Sequence, residues 1–342
     1  MEKYIKKFVA GSFIETWLIS DKKNIVRKQA KDVLNSNRNH PIIIGQYQWL
    51  KYAKSIQMLV PKIFKIKKNN KIFYYDMEYI DPCKTLYEYS KKNKSKKIFI
   101  KLFKNLNEIY KKEEIIKKKN NKLLNQILED KVIPSINSLT EYNFGKNLLK
   151  RKYININNSQ NLNLINCLKI ISNRKQNIRK LNQNFDSKFK TFIHGDLTFE
   201  NILIKKENIY FIDPYGGNVD PNSKNNMLFK SNMFFDLGKL CQSGIANYEK
   251  WKNKKNIKLF FNNGKVKINK IDKKKKIFLN LLEEHFEHNL PNFKEIIILH
   301  MVIHLCRLIR YRIKHNYVSA FYAYFLATYW LNIIIFKKEL LD

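Results

Sequence analysis

Only nine glycines occur in the 342 residues, and several of them fall in one window where acidic residues stand among apolar neighbours. It reads Thr191-Phe-Ile-His194-Gly195-Asp196-Leu-Thr-Phe-Glu-Asn201-Ile-Leu-Ile204, then Ile209-Tyr-Phe-Ile-Asp213-Pro-Tyr-Gly-Gly217. His194, Asp196 and Asn201 share a tight loop before the apolar run Ile202 to Ile204. Asp213 follows a second run, Ile209 to Ile212, and the polar turn Lys205 to Asn208 folds the two into a hairpin. Three oxygen-bearing side chains are thereby brought to one end. Two carboxylates and an amide oxygen form a hard donor set, suited to Mg²⁺ and not to zinc or copper. Mg²⁺ binds through one or two carboxylates plus substrate phosphates, so a nucleotide is its natural companion. A carboxylate left off the metal can accept the proton of an attacking hydroxyl. These are the parts that phosphoryl transfer needs.

The elements around this window set its context. Ser12 to Ser20 and Asn24 to Gln29 read as a strand pair, because β-branched and aromatic runs flank a polar turn. Pro41 opens an expected helix, Ile43 to Ile56, with Ile44, Tyr47 and Leu50 near helical spacing. Leu59 to Ile66 and Lys71 to Tyr79 read as two more strands. Beyond Asp81-Pro82 the pattern turns helical, with an amphipathic segment at Phe99 to Tyr110 and a further helix at Lys122 to Asp130. The expected fold is α+β, a small β-rich N-terminal lobe over residues 1–79 and a large, mainly helical one over 80–342. The chain crosses between them near 76–82. Neither an internal repeat nor a Gly/Ser linker occurs.

His194-Gly195-Asp196-x-x-x-x-Asn201 followed by Asp213 resembles the catalytic core of the protein-kinase-like fold, in the His-Gly-Asp form of the aminoglycoside and choline phosphotransferases. The stretch continuing to Phe235-Asp236-Leu-Gly-Lys-Leu-Cys-Gln-Ser243 is similar to phosphotransferase-like proteins of bacterial capsule and surface-polysaccharide clusters. The resemblance reaches upstream. Ile25-Val26-Arg27-Lys28 matches the strand bearing the phosphate-binding lysine. Ala10-Gly11-Ser12-Phe13 matches a reduced glycine-rich turn, and Tyr75-Asp76-Met77-Glu78-Tyr79 the hinge that reads adenine.

The resemblance implies ATP and Mg²⁺ as cofactors. It makes Asp196 the group that orients and deprotonates the acceptor hydroxyl, with His194 bracing the loop and Asp236 supporting it from a buried helix. Asn201 and Asp213 hold the metal. Lys28, Gly11, Ser12, Gln46, Met77, Glu78 and Tyr79 contact the nucleotide or position what does. Two departures stand out. Gln46 occupies the helix position where a glutamate partner of Lys28 is expected, and the glycine turn has one glycine where the family has three. The implied activity is phosphorylation of a hydroxyl on a small molecule, a sugar or an amino-alcohol, with surface-polysaccharide synthesis as a setting. The alternative is a non-catalytic, nucleotide-binding regulatory module. A protein substrate is disfavoured, because no Ala-Pro-Glu anchor follows Asp213.

Composition agrees with a folded enzyme. The chain is 44% hydrophobic and 13% aromatic, which supports a sizeable core. The formal charge of +37 suits anionic partners. The lysine runs at 91–97, 117–119 and 273–276 lack interleaved aromatics, so they read as solvated faces and make no strong case for nucleic acid. Four scattered cysteines without a Cys-x-x-Cys pair fit a reducing compartment, and no signal-peptide run opens the chain, so the expected location is cytoplasmic. Asn316 to Phe336 carries no charge and is long enough to cross a bilayer. Its tyrosines and Asn332, with the apolar Ile296 to Leu308 before it, point to paired core helices and not to a membrane span. His300 and His304 are spaced like zinc ligands, but without an intervening glutamate they read as core or cleft-wall residues.

Overall fold

The computed structural model describes residues 3–8, 14–20, 24–30, 36–68, 73–91, 95–116, 123–172, 189–215, 229–252, 265–268, 271–286, 292–336 and 341. Gly11 and Ser12 lie outside the described residues, as do 217–228 and lysines 117–119. The chain forms two compact units. One comprises Met1–Ile98, Glu108–Glu113 and Phe192–Lys230, and the other Phe99–Asn107, Glu114–Thr191 and Ser231–Asp342.

The first unit opens with an antiparallel sheet of five strands, β1 (Lys3–Phe8), β2 (Ile14–Ser20), β3 (Asn24–Ala30), β4 (Ile63–Lys68) and β5 (Phe73–Glu78), in the order β1-β2-β3-β5-β4. The β2–β3 pair is the expected one. β1 is a strand the sequence pattern does not announce: five of its six residues are exposed, so it lacks an apolar alternation and owes its form to pairing with β2. The strand expected from Leu59 starts only at Ile63, since Pro61 has no N–H for a ladder. Helix α1 (Ser36–Ser55) begins upstream of Pro41 and packs on β3 and β5 through buried Ile43, Ile44 and Leu50.

Successive strand residues face opposite sides of the sheet, which separates two neighbouring cations. Arg27 pairs with Asp76 through two bonds of 2.7 and 2.8 Å, both side chains buried, its guanidinium 4.1 Å from the Tyr74 ring centre. Lys28, opposite Tyr75 in the register, points the other way. A second sheet, β8-β7-β6, joins β6 (Lys84–Thr85) to the hairpin β7 (Ile202–Lys205) and β8 (Asn208–Phe211). At its tip Lys206 and Glu207 both have left-handed backbone, φ 46° and 64°. After β6 comes the short helix α2 (Leu86–Ser90), closed by a Thr85–Glu88 capping box. Helix α3 (Ser95–Lys112) contributes residues to both units.

The second unit is mostly helical. Its core is α4 (Phe234–Gly244), α5 (Lys273–His285), α6 (Phe293–Arg312) and α7 (Tyr317–Phe336). α4 crosses α6 so closely at Gly238 that a Cβ there would lie 2.7 Å from that of His300. α6 and α7 pack on each other, as the two apolar runs suggest. α7 is long and apolar enough to cross a membrane, but 83% of its most apolar window is buried within the protein. Its polar groups serve the interior. The Asn332 amide exchanges two bonds with the Leu162 backbone, at 2.9 and 2.8 Å, and the Tyr324 hydroxyl donates to Asn163. One lysine run departs from the solvated reading. Residues 273–276 form the first turn of α5, and Lys275 turns inward, where burial lowers its pKa against the pull of Asp272.

Candidate active site

The loop between Phe192 and β7 is built from its own backbone. Gly195 has φ +79°, and a Cβ at that position would come within 2.9 Å of the Tyr215 Cβ, so both conformation and space require glycine. A short 3-10 turn, Phe199–Asn201, leads into the hairpin. His194 is 3% exposed. Its Nε2 lies 2.9 Å from the Ile212 carbonyl, and its Nδ1 accepts the Asp196 N–H at 3.3 Å. A carbonyl only accepts, so Nε2 carries the proton and the ring is satisfied when neutral. Burial drives its pKa down to about 4, against the upward pull of Asp196. His194 is therefore a brace joining the loop to the strand before Asp213. Trp49 of α1 packs against the ring edge-on at 5.0 Å and donates its indole N–H to the Ile193 carbonyl at 2.7 Å.

Asn201 grips the loop from the other side. Its Nδ2 donates to the Asp196 backbone carbonyl at 2.8 Å and to Asp196 Oδ2 at 3.2 Å, while the Asn201 backbone carbonyl accepts the Ile212 N–H at 3.0 Å. This fixes the amide so that Oδ1 makes no hydrogen bond among the described residues. Asp213 follows with left-handed backbone, φ 57°, a conformation that aspartate adopts at modest cost. Its Oδ1 receives the Lys28 ammonium at 2.5 Å and the Gln46 amide N–H at 2.9 Å. Lys28 is 4% exposed at its side chain and Asp213 39%. Burial pushes the Asp213 carboxyl upward, but the Lys28 charge and the two hydrogen bonds outweigh it and hold the pKa below the usual value. Gln46 Nε2 also donates to the Pro214 carbonyl at 2.9 Å, and its Oε1 lies 3.5 Å from the Tyr75 hydroxyl. Gln46 makes no bond to Lys28 among the described residues, although the ammonium is the partner its position suggests.

Lys28, Gln46, His194, Asp196, Asn201 and Asp213 all belong to the first unit and are joined by these bonds. Met77 and Glu78 close β5. Met77 is buried, and the Glu78 N–H donates to the Lys62 carbonyl at 2.8 Å; Tyr79 follows half-buried. Asp236 lies fully buried in the first turn of α4 in the second unit. His300 and His304 are core residues of α6, with His304 Nε2 3.0 Å from the Phe235 carbonyl. No group of three or more His, Cys, Asp or Glu gathers into a metal cluster among the described residues. Asn201 Oδ1 and Asp213 Oδ2, both without a hydrogen bond there, nevertheless fit Mg²⁺, which takes one or two carboxylates and completes its shell with phosphates and water. Trp49 escapes a motif-based reading, and the hinge stretch that contains Tyr75 does not announce the contact of its hydroxyl with Gln46. Trp49 lies three residues after Gln46, so the shared helix face is its only sequence signal.

No protein-family model and no curated protein matches this sequence. Solved structures do. The GDP and kanamycin complex of APH(2")-IIia is 11% identical, with a TM-score of 0.57 over 96% of this chain and 92% of that one. A choline/ethanolamine kinase family protein from Mesorhizobium loti is 8% identical, with a TM-score of 0.52 over 100% and 91%. The gentamicin complex of APH(2")-IIa is 10% identical, with a TM-score of 0.51 over 97% and 90%. The chain thus has the kinase-like fold, with a small antiparallel sheet region at its N-terminal end and a mostly helical C-terminal region.

Proposed function

We propose that the chain is a nucleotide- and Mg²⁺-dependent phosphotransferase acting on a hydroxyl of a small molecule, a sugar or an amino-alcohol, with ATP as donor. The Lys28–Asp213 contact carries this reading: a buried strand lysine and a carboxylate 185 residues away meet at 2.5 Å, beside a loop in which Asn201 holds Asp196. A purely structural ion pair needs no such neighbours. Gentamicin and kanamycin in the complexes of the fold relatives, and the choline/ethanolamine kinase relative, support a small hydroxyl-bearing acceptor. A setting in surface-polysaccharide synthesis rests only on the sequence resemblance of the stretch from His194 to Ser243.

Each residue then has a task. Asp196, oriented by the Asn201 amide, accepts the proton of the acceptor hydroxyl. Lys28 spends one of three N–H donors on Asp213 and keeps two for phosphate oxygens. Asn201 and Asp213 would hold the Mg²⁺, which supplies charge neutralisation on the transferring phosphoryl group. His194, neutral and fully engaged, keeps loop and strand in register. A phosphate-transfer screen over sugars and amino-alcohols tests this. Transfer to one acceptor should fall at least about a hundredfold in both Asp196→Ala and Asp213→Ala. Nucleotide binding that needs no Mg²⁺ and ignores Asp213→Ala would instead favour the regulatory module.

A further inference from the structure

Gln46 is 5% exposed, and every polar atom of its amide faces a defined neighbour. Nε2 meets two oxygens that only accept, Asp213 Oδ1 and the Pro214 carbonyl, both at 2.9 Å. Oε1 faces the Tyr75 hydroxyl at 3.5 Å. A glutamate at this position would place an acceptor-only, charged group against both oxygens and lose both bonds. The neutral amide is thus matched to Asp213 and not to the ammonium. Lys28 occupies the same Oδ1, so two donors fix one carboxylate oxygen while Oδ2 makes no hydrogen bond among the described residues.

We infer that Gln46 is a positioning residue for Asp213: with Lys28 it pins Oδ1, sets the carboxylate's rotation and leaves Oδ2 for the divalent cation. The inference rests on the reading of Asp213 as a metal ligand. It also turns the missing glutamate from a defect into a transfer of duty, since helix α1 steadies the metal ligand directly. The Pro214 bond adds to this by tying the same amide to the backbone immediately after Asp213.

The two possible roles of Gln46 predict opposite signs for Gln46→Glu. The full chain, wild type and variants, is titrated with Mn²⁺ in the presence of a non-hydrolysable ATP analogue, with free Mn²⁺ followed by electron paramagnetic resonance. Binding of the analogue alone is measured in chelator. Loss of a hydrogen bond to a charged group corresponds to about a tenfold change. Gln46→Glu should therefore weaken Mn²⁺ binding by at least about tenfold, and Gln46→Ala by somewhat less, while metal-free analogue affinity stays within about twofold in both. Gln46→Ala removes the donor without adding charge, so the comparison stands even where Gln46→Glu does not fold. Unchanged Mn²⁺ affinity in the variants, or tighter metal-free binding in Gln46→Glu, overturns the assignment and returns Gln46 to the service of Lys28. A wild type with no metal-dependent analogue binding overturns the phosphotransferase reading itself, and this inference with it.

Discussion

Lys28 and Asp213 form an unequal pair, one side chain 4% exposed and the other 39%. Removing Asp213 strands a buried ammonium, whereas removing Lys28 leaves a carboxylate that water and Gln46 can still serve. Chemical denaturation should therefore show Asp213→Ala costing about 3 kcal/mol and Lys28→Met about 1 kcal/mol. Equal costs would mean that the ammonium finds another partner. His194 gives a second residue-scale expectation. Its folded pKa of about 4 lies below the ordinary 6.5, so between those values the unfolded chain binds the proton and the folded one does not. Stability then rises with pH through that window and is lost as pH falls. Between pH 7 and 5 the wild type should lose about 2 kcal/mol more than His194→Gln. Parallel pH profiles for the two proteins would refute a neutral, buried ring. The spacing of Asp196, Asn201 and Asp213 is legible in the sequence because one hairpin holds all three. The partner of Gln46 is not, because it depends on where a residue 167 positions away comes to rest.

At the scale of elements, α1 is held at two points. Trp49 fastens it to the segment leading into the His194–Asn201 loop. One turn on, the Tyr52 hydroxyl donates to Glu113 at 2.6 Å, and Glu113 also receives Lys230 at 3.2 Å. Burial first, and then the bond to Glu113, push the Tyr52 phenol up to about 12, so it remains a donor throughout the ordinary pH range. Glu113→Ala leaves the Tyr52 hydroxyl unmet and Lys230 with only the backbone carbonyl of residue 113, 3.0 Å away, and should lower stability by about 2 kcal/mol in thermal or denaturant melts. Because α1 also carries Gln46, the same variant should weaken metal-dependent nucleotide binding, and normal binding would show that the lower fastening is dispensable. The alternation of β2 and the long apolar run of α6 could be read from sequence. β1, with Lys3, Lys6 and Lys7 exposed, could not, because a strand made by its neighbour leaves little trace in its own residues.

For the whole molecule, +37 is a large imbalance for 342 residues. Compaction brings like charges within the Debye length of one another, about 10 Å at 0.1 M salt, and screening relieves the strain. Raising NaCl from about 0.05 M to about 0.5 M should therefore raise the melting temperature of the ligand-free protein, and a flat response would mean that the lysines are already well separated or paired. The hairpin between Asn201 and Asp213 has a second end. Lys206 and Glu207 turn the chain there, left-handed and exposed, at the opposite end of the ladder from Asn201 and Ile212. That corner is a natural handle: a dye, an affinity tag or a short spliced-in peptide attached at its tip would ride on the hairpin without reaching its Asn201 end.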